Sequence, residues 1–221
     1  MLAFLIVTFV LLKQRPSSNK PRKLLDLSAF RQPEYSLFCA AVFFIFVGAY
    51  TPVYYLSIFA EAKLGASESL SFDILAVLGA GSTLGRIIPN IAAAKYGAFN
   101  VLCLCVLVCG LLQFIWGSIH SIGGLAAFAL FYGLFSGVTA GLPPVIIAQM
   151  SPTPDIIGTR IGMVLQFSAL GFLIGNPIAG AILSGKAGFE GVQAFSGAIL
   201  LLAVVVLFFA TAYERRRKAT S

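Results

Sequence analysis

Gly79-Ala80-Gly81-Ser82-Thr83-Leu84-Gly85-Arg86-Ile87-Ile88-Pro89-Asn90 lies inside an apolar run over residues 72–94. At about 1.5 Å per residue, that run reaches roughly 35 Å as a helix, enough to cross a bilayer. One full charge, Arg86, sits deep inside it, Asp73 stands at its edge, and no acidic residue occurs between Asp73 and Asp155. A cation in lipid is costly by about 3 kcal/mol or more, so by default it marks a site. Ser82, Arg86 and Asn90 recur at i, i+4 and i+8 and share one helix face. Gly81 and Gly85 beside them make a small-xxx-small contact pattern. The plainer reading is an arginine that snorkels to the headgroups. The nearest basic residue, Lys95, is nine positions on, so that reach is long. A cavity-facing, anion-binding Arg86 is preferred.

The same stretch loosely matches a glycine-rich dinucleotide fingerprint. That motif needs a preceding strand and an acid about 20 residues on. The acid-free tract and the membrane-like surroundings exclude it.

Composition agrees with the local reading. The 221 residues are 59% hydrophobic and 10% charged, with a mean hydropathy of +0.95. A soluble domain carries about 25% charged residues. The chain is therefore expected to be an all-α polytopic membrane protein in contact with lipid. Its net charge of +7 sits mostly in two juxtamembrane blocks without interleaved stacking aromatics, so no nucleic-acid partner is expected. Cys39, Cys103, Cys105 and Cys109 all fall in apolar runs at spacings that match no zinc or disulfide framework. With His120 as the one histidine, no metal site, cofactor or catalytic residue is expected.

In chain order, residues 1–12 form an apolar run of about 18 Å, too short to span. It reads as the tail of a transmembrane helix whose start is missing. Residues 13–34 form a basic linker broken by Pro16, Pro21 and Pro33. A six-helix bundle is expected over residues 35–213, with spans at 35–59, 72–94, 99–117, 122–148, 159–183 and 192–213. Connections are short apart from a loop at 60–71. A basic tail follows over residues 214–221. Placing the linker in the cytoplasm puts twelve Lys/Arg inside and only Lys63 and Lys186 outside. Both ends of the bundle are then cytoplasmic.

Three spans carry helix breakers: Gly48 and Pro52; Gly133, Gly137, Gly141 and Leu142-Pro143-Pro144; Gly171, Gly175 and Asn176-Pro177. For any single glycine, plain helix packing is the better reading. Breaks in three spans together favour a bundle that bends around a pathway, because irregular backbone in lipid needs protein or a water-filled cavity beside it. Tyr50 and Tyr54 share a face beside Pro52, though Tyr54 equally suits an interfacial belt. Gln166 lies mid-span and either lines the cavity or bonds a neighbouring helix.

A basic linker followed by six spans resembles the carboxyl-terminal half of a major facilitator superfamily transporter. The resemblance is strongest to fungal monocarboxylate-transporter-like members. It is carried by Gly85-Arg86-Ile87-Ile88-Pro89-Asn90, Gly133-Leu134-Phe135-Ser136-Gly137, Leu142-Pro143-Pro144, Ile157-Gly158-Thr159-Arg160-Ile161-Gly162-Met163 and Gly175-Asn176-Pro177-Ile178-Ala179-Gly180. It implies transport of a small organic anion, with Arg86 binding the carboxylate. Ser82, Asn90, Tyr50, Tyr54 and Gln166 complete the expected substrate-binding set. It also implies an amino-terminal six-helix half as partner, a plasma-membrane location and proton coupling. The family's coupling aspartate, one turn before the arginine, is Ser82 here, which puts that route in question. The family's loop motif is degraded too, with Ala94 where an aspartate is usual. The alternative function is a non-transporting membrane subunit or scaffold built on a truncated transporter fold. An intramembrane enzyme is set aside, because the spans hold one peripheral acid, Asp73, and no histidine.

Overall fold

A computed structural model describes residues 25–220, with side chains described through Arg217. The expected helix tail over residues 1–12, and most of the linker, lie outside the described residues. A short 3-10 turn, Leu27–Arg31, leads into α1 (Pro33–Gly48) and α2 (Thr51–Leu64). Then come α3 (Glu68–Tyr96), α4 (Ala98–Trp116), α5 (Ile122–Ser136), α6 (Val138–Met150), α7 (Pro154–Ser184) and α8 (Gly188–Thr220). No strand occurs among the described residues. The pairs α1/α2 and α5/α6 each make one bent span, and with the four other helices they give six helices long and apolar enough to cross a membrane.

Local chemistry sets the helix ends. Ser67 and Ser121 cap α3 and α5, accepting from Leu70 N at 3.4 Å and Gly124 N at 3.2 Å. Pro33 and Pro154 stand in the first turns of α1 and α7, where a missing N–H costs nothing. Gly65 ends α2 in the left-handed region at φ 62°. The long loop expected at 60–71 is absent. Helix continues through Leu64 and restarts at Glu68, leaving Gly65 to Ser67 as the connection. Glu61, Lys63 and Glu68 suggested a loop, but they are exposed residues on helix ends.

Hydroxyls and prolines make the bends. Pro52 has no N–H to give Gly48, and α1 passes into α2 through Ala49 and Tyr50. The second bend lies at Gly137. There Thr139 Oγ1 donates to Ser136 O at 2.7 Å and Ser136 Oγ donates to Gly133 O at 3.3 Å, competing with the helix ladder.

Glycines allow the tight crossings. A Cβ at Gly81 or Gly85 would meet the Leu130 or Leu134 carbonyl oxygen at under 3.0 Å. Across the same seam, Gly133 and Gly137 face the Leu78 and Ser82 carbonyls as closely. The α3–α5 contact is therefore reciprocal, backbone against backbone, as the small-xxx-small spacing leads one to expect. Gly171 and Gly175 of α7 do the same against Phe43 and Val47 of α1.

The core sits behind these seams. An aromatic column runs from Phe59 to Trp116, Phe128 and Tyr132, with ring centroids 5.4, 5.7 and 5.5 Å apart. At its inner end the buried Tyr132 hydroxyl donates to Ala49 O at 2.8 Å, and Gln113 Nε2 donates to that hydroxyl at 3.2 Å. This chain of bonds ties α4 and α5 to the bend in the first span. Burial is uneven around the bundle. In the most apolar stretches of α3 and α7 only 22% of residues are buried, against 56% in the first span. These two helices flank the bundle and present their outer faces unpacked.

Candidate functional site

Bending opens a cleft of about 250 Å³ between α1, α6 and α7. Phe46 and Tyr50 form one wall, Thr139, Pro143 and Pro144 a second, and Val164 and Ser168 a third. Pro143 and Pro144 have no N–H to give the Thr139 and Ala140 carbonyls, so this wall keeps backbone acceptors without helical donors. Tyr50 stacks on Phe46 at 5.4 Å and meets the edge of Phe172 at 5.2 Å. Tyr54 reaches the same Phe172 at 5.8 Å. Tyr50 and Tyr54 are thus held on one aromatic surface, as their spacing suggests.

Arg86 lies on α3 and is exposed. Among the described residues no carboxylate pairs with it. The buried stripe of α3 runs through Leu78, Gly81, Gly85, Pro89 and Ala93. Ser82 and Asn90 lie partly buried beside that stripe, with Arg86 between them on the open side. Ser82 packs where Gly137 passes, and the Asn90 amide packs at Gly141. Asn90 Nδ2 donates back to Arg86 O, which holds the amide against its own helix and leaves its oxygen free of that bond.

Gln166 is not brought to this cluster. The buried stripe of α7 is Val164, Ser168, Gly171, Gly175 and Ala179, and Gln166 lies on the exposed face with Leu170 and Leu173. Tyr55 bridges helices: its hydroxyl donates to Asn176 O at 3.2 Å, over Gly180.

Sequence reasoning missed the most buried charge. Arg160 is 1% exposed. Its Nε donates to Asp26 Oδ2 at 2.9 Å, and its Nη1 to Gln32 Oε1 at 3.2 Å. Its guanidinium stands 5.4 Å from the Tyr35 ring, whose hydroxyl donates to Arg160 O at 3.0 Å. The Asp26 carboxyl is held below its ordinary value, first by the Ser28 hydroxyl and then by Arg160, against an opposing push from burial. Glu34 is taken similarly by Arg217 at 2.7 Å. A signal was present: Asp26 and Glu34 are the two acids in an otherwise basic linker.

The fold and the cleft define a multi-span membrane protein with broken helices around a largely apolar cleft. The chain belongs to the Major Facilitator Superfamily, whose family description matches residues 37–221. It is 36% identical over 86% of its length to the aspyridones efflux protein apdF of Emericella nidulans, covering 39% of that protein. It is 35% identical over 95% of its length to the MFS-type transporter dbaD of the same species, covering 48% of it. It is 33% identical over 89% of its length to the agnestins efflux protein AgnL12 of Paecilomyces divaricatus, covering 45% of it. The chain thus spans less than half the length of these relatives.

Proposed function

We propose that the chain forms one half of a secondary transporter that moves an organic anion with an apolar, ring-bearing body across the membrane. The observation that carries this reading is Arg86, a cation exposed within a spanning helix and without a carboxylate partner among the described residues, in a bundle that also carries the Tyr50–Phe172–Tyr54 ring surface. A guanidinium grips a carboxylate at two oxygens, and rings offer flat apolar area to the rest of such a ligand. The cleft of about 250 Å³ is one wall of a site, since transporters of inverted or parallel repeats bind near the midplane between their halves. The sparsely packed flanks of α3 and α7 are the surfaces such a second half would cover. Two relatives are named as efflux proteins, for aspyridones and agnestins, which supports outward export over uptake. Neither of these relatives is named for a monocarboxylate, the substrate class that the sequence resemblance implies. The plasma membrane is the location that export requires. With Ser82 one turn before Arg86, proton coupling by the family's aspartate route is not expected of this chain.

A reconstitution assay tests this. The purified chain alone in liposomes is expected to give no saturable flux of aromatic or aliphatic carboxylic acids. Co-reconstituted with an amino-terminal six-helix half, it is expected to give saturable flux. Saturable flux from this chain by itself contradicts the half-transporter reading, and a folded pair without flux favours the scaffold.

A further inference from the structure

The walls of the cleft between α1, α6 and α7 carry more hydrogen-bond acceptors than donors. Thr139 and Ala140 line it, and so do Pro143 and Pro144, the residues one turn on. In a helix the carbonyl of residue i points along the axis at the N–H of residue i+4, and residues i and i+4 share a face. The Thr139 and Ala140 carbonyls therefore lie along the cleft wall, directed at two proline rings that have no N–H to give. The neighbouring hydroxyls add no donor. Thr139 Oγ1 gives its proton to Ser136 O at 2.7 Å, and Ser168 Oγ gives its own to Val164 O at 3.2 Å. Both side chains are buried, and each has only lone pairs left to offer. No lysine, arginine, histidine, asparagine or glutamine lines the cleft. Tyr50 is the exception among the side chains: its hydroxyl makes no hydrogen bond among the described residues, so its proton is unspent. Phe46, Tyr50 and Ser168 also border a wider hollow of about 420 Å³, with Phe172 and Leu173. The cleft thus leads out onto the ring surface of Tyr50 and Phe172, whose centroids lie 5.2 Å apart.

We propose that the cleft selects substrates that carry a hydroxyl or N–H donor on an uncharged ring, the donor going to the Thr139 and Ala140 carbonyls and the ring lying against Phe46 and Tyr50. Pro143 and Pro144 set this specificity by withholding the N–H groups that would otherwise take those carbonyls. A ligand that brings a donor satisfies acceptors which an ether or a bare hydrocarbon leaves unmet in an apolar surround. A carboxylate on the same substrate lies outside the cleft, whose walls hold lone pairs and no cation. This selectivity rests on the reading of the bundle as half of a transporter, and it deepens that reading.

Protection of a thiol placed in the cleft tests this without flux. Ala140 is exposed and lines the cleft, and cysteine is a small change there. Ala140→Cys is made in the full chain lacking Cys39, Cys103, Cys105 and Cys109, and its alkylation rate is followed in an uncharged detergent. The probes are 2-naphthol and 2-methoxynaphthalene, which share a ring and differ in the donor, compared at equal free concentration. The introduced thiol reports occupancy of the cleft itself, whatever enters the micelle. We expect 2-naphthol to protect saturably, with an apparent affinity about threefold to tenfold tighter than its methyl ether. Adding Pro143→Ala and Pro144→Ala returns both N–H groups to the ladder, and the ratio should fall to about one. Equal protection by the two probes in the parent overturns the proposal, and so does protection by neither; the parent comparison decides even where the proline variant does not fold. A preference that survives in a folded proline variant also overturns it. None of these results touches the flux of the paired halves, so the transport reading stands or falls separately.

Discussion

Arg160 Nε lies 2.9 Å from Asp26 Oδ2, joining residues 134 positions apart and fixing the end of the linker to the start of α7. Asp26 N adds a contact to Met163 Sδ at 3.4 Å in the same helix. Both charges are buried, so removing one leaves the other uncompensated, at a cost of about 3–5 kcal/mol. Arg160→Ala and Asp26→Ala should each lower the unfolding midpoint in detergent, and the double variant should cost much less than their sum. The Asp26 carboxyl is depressed in the folded protein, below its ordinary value of 3.8. Its stabilisation is therefore fully present above that value and lost as pH falls through the lower, folded one. Unfolding followed from pH 8 to 3 should show the Arg160-dependent term constant down to about pH 4 and shrinking below it.

The glycine seam between α3 and α5 gives a second expectation. Gly85→Ala puts a Cβ onto the Leu134 carbonyl, so the helices must separate. We expect a loss of about 1–3 kcal/mol. Gly79→Ala, on the same helix with nothing within 4 Å of its added Cβ, should be neutral or stabilising by up to about 1 kcal/mol. Thermal unfolding of the two variants side by side checks this, and equal losses would argue against the close crossing.

The six spans were legible because a bilayer demands long apolar runs, and away from their ends these runs are uninterrupted by charge except at Arg86. The α3–α5 seam was legible in part: Gly81 and Gly85 have helical spacing, but their partners Gly133 and Gly137 follow only from tertiary structure. The loop at 60–71 was misread because Glu61, Lys63 and Glu68 look like loop residues, whereas a helix that leaves the lipid tolerates charge on its last turns. The Asp26–Arg160 pair was illegible from spacing, since nothing local connects residues so far apart. For the candidate site, periodicity placed Tyr50 with Tyr54, and Ser82 with Asn90. It could not show that Gln166 points away from the interior, because α7 has polar and apolar residues on both faces.

Topology is open to direct measurement. The charge distribution predicts that the linker and the carboxyl-terminal tail lie together in the cytoplasm. In a background lacking Cys39, Cys103, Cys105 and Cys109, a cysteine at the exposed Leu27 should label only from inside and one at the exposed His120 only from outside. The reverse pattern would invert the assignment.

The most direct test of the transport site is Arg86→Lys, assayed as flux in the chain paired with an amino-terminal half at matched surface expression. A lysine keeps the charge and the long stem but loses the planar fork that grips a carboxylate at two oxygens. If Arg86 binds the anion, the substitution should cost about 1.5–3 kcal/mol, or roughly ten- to a hundredfold in apparent affinity, and Arg86→Ala should be at least as severe. If Arg86 only snorkels, lysine serves nearly as well. Near-wild-type flux in Arg86→Lys would contradict the account, leaving the proposed site without its anion-binding group.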